Sequence, residues 1–595
     1  MLRLILQIYK TLNKDLKERI LILQFLNIFQ ACIEVLMLGS LASFISIINN
    51  PEILKKNMYI KDYFEKIFKG SVDELLIFFS LYLIFLVILS FALSIFINTK
   101  MLTVGHQVNA FINNKLFSYY LAKPWSFHVN NSYSGIVRAI SHDCSVISTK
   151  LITPLLNLSH KIILVISISI ILAIYNPYVV IIGILVFSII YYLILFNVKK
   201  IIHKYTKTES ELFKKRNQLI FNTFQGIKEI IIYNLKNYFQ KNFNIVNYEH
   251  IKPAVRLGLV VQLPRFVVEA FSYILIILSI LIALILGFGT KSILPTLAIY
   301  AFAGLKLLPS FQQIYMSIVN IKNGKVIFDK HKNKIVNNTS GSASLSRKVN
   351  KFNFKKSISF RNLKFSYSKE DKKNILEINK FQIKKNSIIG IAGGTGSGKS
   401  TLVDLIMTII EPTKGKILID GKVLKQNQKK SWISNFAFVS QNPYFANTSV
   451  LNNIAFGIES SEVDLKKVKE SILAANLSNK INTLSEGLKT EIGDNGLKFS
   501  GGERQRMAIA RALYFEKDII VFDEATSAVD SLTEKEIIKS IKRLKKKKTI
   551  IIIAHRVSTL KICNKIYLLS NGKISGSGSY KYLLEKNKYF QKLHG

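Results

Sequence analysis

The sequence predicts two fused fold classes: an all-α membrane domain of six transmembrane helices, followed by an α/β domain built around a phosphate-binding loop. Three observations carry this expectation. Of the 595 residues, 49% are hydrophobic, and they gather into six long apolar windows. Those windows end near residue 320, and beyond residue 355 short β-branched runs alternate with helical stretches. One such run, SIIGIAG, leads into a glycine-rich segment that closes on Lys399-Ser400.

A helix needs about 20 apolar residues, at roughly 1.5 Å each, to cross about 30 Å of hydrocarbon. Windows near 20–48, 74–98, 150–175, 178–198, 258–287 and 292–320 supply them. Asn176-Pro177 places a tight reversal between the third and fourth. The first twenty residues alternate apolar and charged positions at helical spacing and lack a small-residue cleavage site, which predicts an interfacial helix leading into span 1.

Loop charge sets the orientation. Between spans 1 and 2, Lys55, Lys56, Lys61, Lys66 and Lys69 are balanced by Glu52, Asp62, Glu65, Asp73 and Glu74. Segment 199–256 opens instead with Lys199, Lys200, Lys204, Lys207, Lys214, Lys215 and Arg216. The balanced loop is expected outside and the basic one inside, so an even number of spans returns the chain to the cytoplasm. Segments 99–149 and 199–257 read as cytoplasmic continuations of the membrane helices.

Lys and Arg number 82 against 37 Asp and Glu, a formal net charge of +45. A basic balance alone also suits nucleic-acid binding, but the apolar spans speak for a membrane protein with basic cytoplasmic parts and no nucleic-acid partner. Cys32, Cys144 and Cys563 are far apart and form no CxxC pair, so neither a disulfide framework nor a zinc site is indicated. The Ser- and Asn-rich stretch after residue 335 marks a linker. The expected division is a membrane domain over 1–334, a linker over 335–354 and the α/β domain over 355–595.

Gly393-Gly394-Thr395-Gly396-Ser397-Gly398-Lys399-Ser400 fits G-x-x-x-x-G-K-[ST], between a strand and the helix that opens at Thr401. Glycines let the backbone wrap phosphate, and the helix N-terminus adds partial positive charge. Lys399 is placed to reach the β- and γ-phosphates of ATP, and the Ser400 hydroxyl to bind Mg²⁺. Downstream, the apolar run 519–522 ends in Asp523 and Glu524. Asp523 is the expected Mg²⁺ ligand and Glu524 the general base that polarises the attacking water.

Phe499-Ser500-Gly501-Gly502-Glu503-Arg504-Gln505-Arg506 makes the pattern specific. It resembles the signature motif of the ATP-binding cassette (ABC) family, usually LSGGQ, with Phe499 for Leu and Glu503 for Gln. The resemblance implies that the signature contacts the γ-phosphate held by a partner subunit. It implies adenine stacking for Tyr367, Mg²⁺ sensing for Gln441, an interface loop at Asp530 and a γ-phosphate switch at His555. Glu491 falls where exporters carry a short acidic element.

The order of a membrane domain and then an ATPase domain resembles the exporter branch, as a half-transporter. The chain holds one phosphate-binding loop and one signature. A homodimer with two composite ATP sites is therefore the simplest assembly, and a heterodimer the alternative. The resemblance implies alternating access in a bacterial inner membrane, with stretches 123–134 and 221–227 transmitting motion.

Ionisable residues inside apolar spans usually face a cavity or a partner. Glu34, Arg265, Glu269 and Lys306 stand out. Arg265 and Glu269, four apart, either neutralise each other or line a polar cavity in which Arg265 and Lys306 meet an anionic head group. The stretches LPRFVVEAF, IEVLMLGSLASF and GIKEIIIYN resemble flippases of lipid-linked oligosaccharides, which implies a lipid-like, amphipathic substrate. Peptide, drug and other lipid exporters share the architecture. An ATP-gated regulator that transports nothing is the alternative of another class.

Overall fold

A computed structural model describes residues 8–49, 72–175, 177–285, 290–336, 351–367, 374–525, 531–544, 547–554 and 557–594. They form two units, one within 1–122 and 132–345, the other within 123–131 and 346–595.

In the first unit six long helices follow one another. They are α1 (Lys14–Asn49), α2 (Val72–Leu121), α3 (Thr153–Tyr175), α4 (Pro177–Gln225), α5 (Lys236–Ile285) and α6 (Thr290–Val336). Each covers one expected span. Among the described residues, Lys14–Ile48, Asp73–Leu121 and Tyr133–Ile174 are long and apolar enough to cross a membrane. At about 1.5 Å per residue, helices of 47 to 50 residues, such as α2, α4, α5 and α6, exceed the bilayer core about twofold. The surplus has the length that the expected continuations of the membrane helices require. α4 opens on Pro177, whose fixed φ suits a first helical turn.

Large apolar side chains on these helices are exposed, among them Phe25, Phe78, Phe85, Phe91 and Ile174. In water this would be a liability; in lipid it is the ordinary state of a spanning helix. The interior is narrow, with Leu38, Ala42, Leu164, Ile168, Leu172 and Ala303 forming one buried cluster. α6 runs to Val336, two residues into the linker expected over 335–354, and residues 337–350 of that linker lie outside the described residues.

The second unit is α/β. Strands β1 (Ser357–Phe365), β2 (Leu376–Lys384), β4 (Lys414–Ile419) and β5 (Lys422–Val423) form an antiparallel sheet in the order β2-β1-β4-β5. β3 (Ile388–Gly393), β6 (Phe436–Val439), β7 (Ile519–Asp523), β8 (Thr549–Ile553), β9 (Lys565–Ser570) and β10 (Lys573–Gly578) form the larger sheet, in the order β10-β9-β3-β8-β7-β6. Its strands are parallel except β10.

Every residue of β3 and β8 is buried, which is why these strands read as unbroken apolar runs. Alternation separates two cores. Ile550, Ile552, Ile520 and Phe522 face one cluster, and Ile551, Ile553, Ile519 and Val521 the other. Between β6 and β7 a helical excursion ends in α8 (Gly501–Tyr514), and α7 (Lys399–Ile406) follows β3 directly.

Candidate functional site

Because β3, β8, β7 and β6 run parallel and adjacent, their carboxyl ends share one edge. Ile391 pairs with Ile553, Ile553 with Asp523, and Phe522 with Val439. Ligands of open parallel sheets bind at such an edge. The motifs that follow β3, β7 and β6 are thereby collected from distant parts of the chain.

The turn after β3 can be made only with glycine at two points. Gly393 has φ +155°, and a Cβ there would lie 2.4 Å from the Leu569 carbonyl oxygen. Gly398 has φ +97°, and a Cβ would lie 2.7 Å from Leu376. The loop folds over the Lys399 side chain, whose Nζ donates to the carbonyls of Gly393 and Gly394 at 3.0 Å each. Burial pushes the Lys399 pKa down, opposed by the charges of Glu524 and Asp523. Ser397 Oγ is buried without a partner among the described residues. A buried ammonium, an unsatisfied hydroxyl and a helix N-terminus at one glycine cradle fit a polyphosphate.

Glu524 lies just past β7 with φ +50°, an uncommon conformation for a residue with a side chain. Its backbone N–H donates to Ile553 at the end of β8, at 3.0 Å. Its Oε2 accepts from Gln441 Nε2 at 2.8 Å. The Gln441 carbonyl in turn accepts from Gln505 Nε2 on α8. Asp523, Ser400 and Gln441 offer oxygen ligands, the donor set that Mg²⁺ prefers.

At α8, Ser500 Oγ accepts from the Glu503 N–H at 3.2 Å, and the Glu503 carboxylate accepts from the Ser500 N–H at 2.8 Å. This reciprocal capping box shows what Glu503 does in this fold: it closes the first turn and pairs with Lys480 at 3.1 Å. Gly501 and Gly502 form that first turn. Tyr367 is exposed, its ring edge-on to Phe365 and its hydroxyl 3.3 Å from Thr401 Oγ1. Thr395 and Gly396 sit at the exposed crest of the loop. Asp530 and His555 lie outside the described residues.

Three residues near this edge carried no signal in the sequence. Asp404, on α7, has its pKa pushed up to about 6 by burial and by Asp523. Tyr589 accepts the Gly394 N–H at 3.0 Å. Arg511 of α8 donates to Asn453 O at 2.7 Å and Tyr444 O at 2.8 Å, and lies 4.8 Å from the ring centres of Phe445 and Phe456.

The membrane unit holds a separate polar cavity of about 390 Å³ among α1, α2, α3 and α6. Glu34 and Lys306, two of the four ionisable residues singled out above, line it and pair at 3.1 Å. Lys161 and His160 on α3 line it too and were missed. Both interrupt an apolar span, which is the signal that could have found them. Gln30 Oε1, Glu34 Oε2 and His160 Nδ1 are buried without partners among the described residues. Arg265 and Glu269 do not line this cavity. They pair with each other at 2.8 Å.

The fold and this edge define an ATPase-type cassette joined to a six-helix membrane domain. Residues 20–313 match the family model of the ABC transporter transmembrane region, and residues 376–527 the family model of the ABC transporter. The chain belongs to the ABC transporter family. It is similar to an ATP-dependent lipid A-core flippase of Ralstonia nicotianae, 37% identical over 236 residues, 40% of this chain and 40% of that one. It is also similar to the heterocyst differentiation ATP-binding protein HepA of a Nostoc species, 31% identical over 372 residues, 62% and 60% of the two chains. The chain thus matches about two-fifths of the length of the flippases. Among solved structures, a bacterial Atm1-family ABC exporter with ATP bound superposes with a TM-score of 0.76 at 20% identity, covering 98% of each chain. That likeness is one of fold.

Proposed function

We propose that the chain is half of an ATP-driven exporter of the bacterial inner membrane, working as a homodimer by alternating access. Its substrate would be a lipid-linked oligosaccharide or a related phosphate-bearing glycolipid leaving the inner leaflet. The observation that carries the ATPase part is the Gln441–Glu524 contact beside the Lys399 cradle.

In this reading Lys399 leaves the loop carbonyls for the β- and γ-phosphates, and the α7 N-terminus holds them. Mg²⁺, held by Ser400, Asp523 and Gln441, would neutralise charge on those oxygens. Glu524 accepts a proton from the attacking water, with Gln441 holding its carboxylate in place. His555 contacts the γ-phosphate, Tyr367 stacks on adenine, and the Ser500–Glu503 turn of the partner copy with Asp530 completes the site. Closure around two nucleotides would pull the ATPase domains together, with stretches 123–134 and 221–227 passing the motion to the spans.

The substrate class rests on the cavity. It brings two ammonium groups, Lys161 and Lys306, against one carboxylate, Glu34, beside amide groups of Gln30 and Asn157. A surplus cation with hydroxyl-binding neighbours suits a phosphate that carries sugars. The names of the relatives favour lipid A-core as a second candidate.

The test is ATP hydrolysis in proteoliposomes by the wild-type chain and by Glu524→Gln, with polyprenyl-pyrophosphate oligosaccharide or lipid A-core. Stimulation and flipping by one of them, absent in Glu524→Gln, sustains the reading and chooses the lipid. Turnover indifferent to both moves the substrate to peptides or drugs. Turnover with no transport of any substrate leaves an ATP-gated regulator.

A further inference from the structure

We infer that Asp143 is a positioning residue that clamps the segment leading into α3 to the cytoplasmic end of α6, so that the two move as one lever. The inference rests on the transport reading above and adds to it the part that would carry the motion.

α3 from Thr153 to Tyr175, at 23 residues, is by itself long enough to cross a bilayer. The helical segment before it is therefore surplus, and it is irregular. Two π-helical turns, Ala139–Asp143 and Ser148–Ile152, flank a single α turn. Such turns are rare and recur at functional sites. Each needs an external reason to persist.

Both turns are held from outside. Asp143 closes the first, and it is only 1% exposed. Its Oδ2 lies 2.8 Å from Nε2 of His331, also 1% exposed, and 3.5 Å from Lys330 Nζ, both on α6. Arg138 and His142, from its own segment, stand 3.5 and 3.4 Å from Oδ1. At the second turn α6 comes so close that a Cβ on Gly324 would lie 2.8 Å from the Lys150 carbonyl. Two independent contacts thus join this segment to α6, one electrostatic and one steric.

Apolar helix faces can slide past one another by a turn at little cost. A buried carboxylate reached by groups from two helices permits one register only, which is the best-attested use of buried charge. An apolar pair in place of Asp143 and His331 would pack but would not index the two helices.

The experiment pairs transport with distance measurement in the full-length chain. Asp143→Ala, His331→Ala and the double variant are assayed in proteoliposomes for polyprenyl-pyrophosphate oligosaccharide, or lipid A-core, flipped per ATP hydrolysed. We expect hydrolysis to persist while that ratio falls about tenfold in each single variant and no further in the double. Additive losses, or an unchanged ratio, would overturn the inference. Spin labels at Ser141 and Val326 report the clamp whether or not transport is seen. One narrow separation, the same with and without ATP and broadened by His331→Gln, supports a rigid lever. A separation that shifts with ATP in the wild type refutes it. Wild-type protein with no turnover counts against the transport reading, and the label separation still decides the clamp.

Discussion

Gln441 and Glu524, 83 positions apart in the chain, meet at 2.8 Å through Nε2 and Oε2. The contact joins the ends of β6 and β7, so the residue that follows one strand tip orients the carboxylate that follows the other. Glu524 is further constrained by its left-handed backbone and by its N–H bond to Ile553. A carboxylate held by Gln441 on a backbone fixed at two further points is preorganised to take a proton from one direction.

Removing the carboxylate charge while keeping its shape isolates this role. Glu524→Gln is expected to lower ATP turnover by about 10²- to 10⁴-fold and to leave nucleotide affinity intact. Gln441→Ala, which removes one partner of the carboxylate and keeps the carboxylate, should lose about tenfold. Phosphate release and fluorescent-nucleotide titration on purified protein separate the two effects.

Asp404 makes apo-protein stability depend on pH. Its pKa rises from 3.8 to about 6 on folding, first through burial and then through Asp523. Below pH 3.8 the carboxyl is neutral in both states and costs nothing. As pH rises towards 6 the unfolded state ionises first, and the folded state loses stability relative to it. Asp404→Asn should therefore raise Tm by an amount that grows up to about pH 6 and is flat above it. A Tm difference independent of pH would show that Asp404 does not titrate there.

Arg511 joins α8 to the segment after β6. Burial lowers its pKa to about 10, still charged at neutral pH. Arg511→Ala would leave the Asn453 and Tyr444 carbonyls without their donor and two aromatic rings without their cation, at a cost of about 2–4 kcal/mol. Arg511→Lys should recover little of it, because an ammonium cannot reproduce the planar fork. Thermal unfolding of the detergent-solubilised chain measures both.

In the membrane unit, Lys161→Ala should abolish stimulation of ATP turnover by a phosphate-bearing lipid and leave basal turnover unchanged. Glu34→Gln should act in the opposite sense, strengthening lipid stimulation by releasing Lys306 from its partner at 3.1 Å. Dose–response curves of ATPase activity against lipid mole fraction distinguish the two.

The two fold classes, the glycine cradle at 393–400 and the carboxylates at the end of β7 are legible from the residues alone. These are local: a helix span, a tight phosphate turn and a strand tip each impose residue types on consecutive positions. Glu503 stands in the sequence only as a departure from the usual signature, and its capping of the Ser500 turn and its pair with Lys480 come from the fold. Tertiary structure alone decided which charges are free. Lys306 reads in the sequence as a cation for a head group; the fold pairs it with Glu34, 272 positions away, and sets Lys161 in the same cavity. Asp143 carries no local signal, and its role comes from α6, which sets Lys330 and His331 against it. Arg511 and Asp404 gained their properties only by burial under neighbours distant in the chain. Burial and charge pairing depend on which helix faces and strand ends converge, and that convergence is set by packing over the whole unit, not by any short run of residues.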